Sequence, residues 1–216
     1  MILLRLQYRD LSRASVAIFF ALLLSYALAP ALHAQQSGTT IVFYAQPQVS
    51  DELWPDLFQS LRADLVAGMG ESPKGFALDQ NPTYLRGDKD LAVGLVFSEL
   101  IQVKLLGRCD LLTQPDRPFL TGPLGWVLQV SGAIQPFIFV DCTRIAQVLR
   151  SGFIGLDMQG RRHEMAQAIA HVVIHEWIHV ATQSSSHGRE GITRQFLSVG
   201  ELTKEPPKND LAIATH

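Results

Sequence analysis

Only two cysteines occur in the 216 residues. That is too few for a metal site built from cysteine alone, or for a scaffold stapled by many disulfides. Basic charge is not in excess either. The formal net charge is −2, and with Arg5, Arg9, Arg13 and Asp10 of the N-terminal stretch set aside it falls to about −4. Neutralising a phosphate backbone takes the opposite balance, so nucleic acid is not an expected partner. Charged residues make up 18% of the chain and hydrophobic residues 47%, a balance that argues against general disorder. No internal repeat or low-complexity tract appears. No tyrosine follows Tyr84, so a tyrosine donor to an oxyanion in the C-terminal half is excluded.

Residues 1–34 read as an export signal. The three arginines form a positive start, Val16 to Leu28 is an apolar core, and small residues follow at Ala29, Ala31 and Ala34. Cleavage after Ala34, with Ala31 as the alternative, leaves one domain over 35–203 and a Pro- and charge-rich tail over 204–216 that reads as frayed. The other reading is an uncleaved anchor, since Ala14 to Ala34 carries no formal charge, although Pro30 and His33 interrupt its end. A membrane would then be met only through this leader. An exported chain, secreted or periplasmic, meets oxidants, so a disulfide between Cys109 and Cys142 is expected, with two buried thiols as the alternative.

After a polar spacer over Gln35 to Gly38, Thr39 to Ala45 has the β-branched and aromatic content of a strand. Ser50 then reads as the cap of a helix to about Ala67, with Asp51 and Glu52 in its first turn. Leu53, Leu57, Leu61 and Leu65, joined by Trp54 and Phe58, make its core-facing stripe. Gly68 to Asp90 reads as loop. The second half of Leu91 to Leu106 alternates as a strand. Two more strands follow, Trp126 to Val130 and Phe137 to Val140, separated by Ser131-Gly132. Either could form an edge to which an extended peptide adds. Asp141 caps a helix through Arg150, ended by Gly152 and Gly155. The whole predicts an α+β fold whose sheet is complete before the last long segment begins.

That segment, Arg161 to Gln183, reads as one helix with a deeply apolar middle. It nonetheless carries His171, His175, Glu176 and His179, and buried imidazoles and carboxylates are costly unless paired or ligated. His175-Glu176-Trp177-Ile178-His179 fits the pattern H-E-x-x-H. A spacing of four returns to nearly the same helix face, so both imidazoles can reach one ion. Glu176, beside the first of them, can touch a metal-bound water without binding the metal, which is the placement of a general base. Short patterns arise by chance, and the weight here comes from the helical context.

A catalytic zinc needs a third protein ligand from beyond the helix. His187, eight residues after His179, is the first candidate, because Ser184-Ser185-Ser186 can stop the helix and turn the chain back. Glu190 and Glu201 are rivals, although Ser198-Val199-Gly200-Glu201 also reads as the capping box of a short final helix. His171, one turn before His175, reads as a satisfied core histidine, with a supporting role to the metal ligands as the alternative. Trp177 and Ile178 are expected to pack under the sheet, and His163 and Glu164 to face solvent.

From Glu164 to Leu202 the sequence, with HEWIHVATQSSSHGREGI at its centre, resembles the active-site stretch of secreted bacterial zincin-type metallopeptidases and, in style, the metzincins. The resemblance implies a zincin-like mixed, twisted sheet packed on a long active-site helix with a small C-terminal segment. It implies His175, His179 and His187 as Zn²⁺ ligands, Glu176 as the catalytic carboxylate, and a peptide or protein substrate. There are two departures. The step from second to third histidine is two residues longer than in metzincins and contains no glycine, and Thr193 stands where a methionine would be expected. The alternative function is a secreted metal-binding or inactive scaffold that keeps the ligands without proteolysis.

Overall fold

The computed structural model describes residues 35–46, 49–69, 77–109, 121–187 and 198–203, all within the compact unit Gln35–His216. The proposed leader, the tail and Glu190 lie outside the described residues.

Five strands form one mixed sheet: β1 (Gln35–Ala45), β2 (Thr83–Arg86), β3 (Val96–Leu106), β4 (Gly125–Val130) and β5 (Ala133–Asp141). Their order is β2-β1-β3-β5-β4. The first four in that order run parallel, and β4 pairs antiparallel with β5 at the edge. The helices are α1 (Leu53–Val66), α2 (Cys142–Leu149), α3 (Met158–Thr182) and the short α4 (Val199–Leu202). This is an α+β fold with a mixed sheet packed on one long helix and a small C-terminal helix. Among the described residues, no helix is long and apolar enough to cross a membrane.

Strand periodicity builds the core. Ile41 and Phe43 of β1 stand beside Ile101 and Val103 of β3, and Val103 and Leu105 beside Ile138 and Val140 of β5. Residues two apart share a sheet face, and this face packs in one buried cluster with Leu57, Leu61 and Leu65 of α1 and Met165, Ile169 and Val173 of α3. Cys109, just after β3, is bonded to Cys142 at the start of α2. Asp141 caps α2 by accepting from the Arg144 N–H, as the sequence predicts.

Several expectations change, and the strand expected over Phe137 to Val140 begins already at Ala133. Residues 35–38 are not a spacer, because Gln35 and Gln36 already pair with Val96 and Phe97 before a register shift. The segment 68–90 is not all loop. It holds β2, whose four residues pair with Thr40 to Phe43 of β1. And α1 begins at Leu53, after Ser50, Asp51 and Glu52. Ser50 Oγ accepts from the Glu52 N–H, ahead of the helix, and the two acids are drawn into ion pairs: Asp51 with Arg86 and Lys89, and Glu52 with Arg162 of α3.

Candidate metal centre

The long helix starts earlier than its composition suggests, at Met158, with Asp157 capping the Gly160 N–H. Its middle is enclosed on every side: Ala166, Ala168, Ile169, Ala170, Val173 and Ile174 are fully buried. His175, Glu176 and His179 lie in this environment, at 8%, 6% and 7% exposure. Trp177 is buried behind them, and Ile178 is partly buried. His187 is exposed and approaches from the segment after the helix.

The three imidazoles converge. Ring centroids lie 4.8 Å apart for His175 and His179, 5.3 Å for His175 and His187, and 4.9 Å for His179 and His187. One nitrogen of each lies within 4.8 Å of the others, so among the described residues these three form a group that can hold a metal ion. His179 Nδ1 is 2.5 Å from the Ser184 carbonyl oxygen. A carbonyl only accepts, so Nδ1 carries the proton and Nε2 keeps its lone pair. That Nε2 is 3.1 Å from His175 Nε2. Two nitrogens bound to one ion at about 2.0–2.1 Å in tetrahedral geometry lie about 3.3 Å apart, so this pair suits a shared ion in both chemistry and spacing. Although His187 is exposed as a residue, partial desolvation of its ring and the neighbouring His179 hold the imidazole below its ordinary value, which favours the neutral form a metal requires.

Glu176 lies outside this group, its Oε1 4.0 Å from His175 Nε2. Burial pushes its carboxyl up to about 7. The start of β4 lies directly against it. A Cβ added at Gly125 would stand 2.5 Å from Val172 Cγ1 and 3.1 Å from Glu176 Cγ. Glycine therefore lets the edge strand approach this turn of α3 more closely than any side chain would.

The rival third ligand Glu201 closes the capping box of α4, its Oε2 accepting from the Ser198 N–H and Oγ. His171 is not one of the group and joins a buried polar network. Its Nε2 is 3.3 Å from Asp64 Oδ2 on α1, and Gln167 Nε2 donates to both Asp64 oxygens at 2.9 and 3.1 Å. This agrees with a core histidine, although only its Nε2 is satisfied and its Nδ1 has no hydrogen-bond partner among the described residues; sequence reasoning missed the Asp64 partner. Asp64 falls on the buried side of α1 beside Leu61 and Leu65, and an acid in an apolar stripe was the available signal.

No family model matches this chain, and no curated protein or solved structure matches it either.

Proposed function

We propose that this chain is an exported zinc metallopeptidase in which His175, His179 and His187 hold the ion and Glu176 is the general base. The observation that carries the reading is the convergence of three imidazoles beside a buried carboxylate that does not join them. A bound zinc ion would supply Lewis-acid polarisation of the attacking water and of the scissile carbonyl. Glu176 takes a proton from that water as its oxygen bonds to the carbonyl carbon, then returns the proton to the leaving amine as the C–N bond breaks. A carboxyl poised near neutrality can do both.

The proposed substrate is an extended peptide lying along β4. This edge strand pairs on one side with β5, and Gly125 brings its first residue onto the turn of α3 that carries Glu176. Main-chain bonds to such an edge would give affinity for any peptide of extended form. Closure of the Cys109–Cys142 bridge suits an oxidising compartment outside the cytoplasm.

The test is digestion of an unmodified peptide library by the purified protein, with and without chelator, beside Glu176→Gln. Wild type should cleave, chelator should stop it, and the zinc-loaded Gln variant should lose about 10²–10⁴-fold in rate, the usual contribution of a positioned acid–base group. Equal hydrolysis by the zinc-loaded variant would remove Glu176 from the chemistry. Zinc uptake without hydrolysis by wild type would favour the scaffold alternative.

A further inference from the structure

The end of α3 is built in an unusual way. Gln183, the residue that closes the helix, has φ 50°, the left-handed conformation that glycine adopts without strain. Its side chain explains the choice. Although Gln183 lies at the surface, its amide makes three hydrogen bonds to main chain. Nε2 donates to the Val180 carbonyl at 2.8 Å and to the Ile134 carbonyl at 2.9 Å, while Oε1 accepts from the Ile134 N–H at 3.2 Å. The two bonds to Ile134 copy the exchange between paired strands, with a side-chain amide in place of a peptide. Ile134 stands on β5 opposite Gln129 of β4, so the clamp joins the helix end to the hairpin that carries the edge strand.

Ser184 follows Gln183 directly, and its carbonyl receives the proton of His179 Nδ1. A continuous path therefore runs from the hairpin through the Gln183 amide and the left-handed turn to the Ser184 carbonyl and His179. The same turn begins the return of the chain to His187. We infer that Gln183 is the positioning residue of the metal centre: it locks the C-terminal end of α3 to the β4–β5 hairpin and, through Ser184, fixes which nitrogen of His179 is presented to the ion. A glycine at 183 would supply the turn but not the lock. This inference rests on reading His175, His179 and His187 as a metal site.

Gln183→Gly and Gln183→Glu test it. Glycine relieves the turn and should fold readily, while glutamate keeps the shape but sets an acceptor against the Val180 and Ile134 carbonyls. Zinc affinity is read by competition with a chromophoric chelator, and the His179 tautomer by ¹⁵N NMR of the metal-free protein. Both variants should bind zinc about tenfold or more weakly, the usual effect of removing a group that orients a metal ligand. Both should also lose the preference of His179 for a proton on Nδ1. Wild-type affinity and tautomer in Gln183→Gly would overturn the inference. Weakened binding with an unchanged His179 proton would overturn it as well, because the turn would then act through His187 alone. If wild type takes up no zinc, the metal reading fails, while the tautomer comparison still decides the role of Gln183.

Discussion

Glu176 combines a deeply buried position with a group that prefers water when ionised. Its carboxyl titrates near 7 in the fold against 4.5 in an exposed reference, and the cause is burial alone. A carboxylate whose folded value lies above its unfolded one stabilises the fold only while protonated. That advantage is complete below about 4.5 and is lost as pH rises through 7. In metal-free protein near pH 8, ionised Glu176 should cost about 3 kcal/mol of stability. Glu176→Gln has nothing to ionise, and both proteins keep His175, His179 and His187, so the ligands drop out of the difference. Denaturant titrations in chelator should find the Gln variant the more stable near pH 8 and the two nearly equal near pH 4. A difference that ignores pH would show that burial is not what sets the carboxyl apart. His175, Glu176 and His179 were legible in the sequence because a spacing of four is a property of the helix itself. His187 could be found from the small polar residues before it. Gln167, one turn before His171, is a local partner, but the link from this pair to Asp64 spans 103 residues from Gln167, and its one trace in the sequence is an acid within the apolar stripe of α1.

At the level of elements, β4 and α3 approach each other through a position that composition alone does not distinguish. Gly125 opens the strand, and a methyl there would meet Val172 Cγ1 at 2.5 Å, Glu176 Cγ at 3.1 Å and the Phe139 carbonyl at 3.1 Å. Two of these belong to a packed helix and one to backbone, so the strand has to shift. Gly125→Ala should therefore destabilise by about 1–3 kcal/mol, the usual range for overpacking a closed site. Gly200→Ala is the control. Nothing lies within 4 Å of its added Cβ, inside α4, and the change should be neutral or slightly stabilising. Comparable losses at both positions in thermal unfolding would remove the case for a tight β4–α3 contact. The same distinction explains what sequence made visible among the elements. The Leu53, Leu57, Leu61 and Leu65 stripe, the Ser131-Gly132 turn between β4 and β5, and the apolar middle of α3 all carry a local period or turn signature. The four residues of β2 carry too short a pattern, and they are a strand only because β1 lies alongside. The start of α1 moved for a related reason: Asp51 and Glu52 find arginines and a lysine on other elements, which a single helix does not reveal.

For the whole molecule, the Cys109–Cys142 bridge constrains how the unfolded chain can spread. It closes a sequence separation of 33 residues, joining the end of β3 to the start of α2 with β4 and β5 inside the loop. In the chain-entropy account, a loop of this size contributes about 3–4 kcal/mol by restricting the unfolded ensemble. Both half-cystines are buried, Cys142 completely, so replacing them with alanine would also open space in the core. Reduced wild type keeps the sulfur atoms and loses only the bond, and the difference between it and the Cys109→Ala, Cys142→Ala protein isolates that packing loss. Reduction should lower the unfolding free energy by about 3–4 kcal/mol and steepen its dependence on denaturant, because a freed chain exposes more surface when it unfolds. The alanine pair should lose more than this. The bridge joins the end of β3 to α2, whereas His175, Glu176, His179 and His187 lie on and after α3, so zinc affinity should survive reduction at temperatures where the fold persists. A loss well under about 1 kcal/mol would mean that the unfolded chain is already held compact over this stretch. A fall in zinc affinity while the fold persists would instead show that the bridge holds α3 in place.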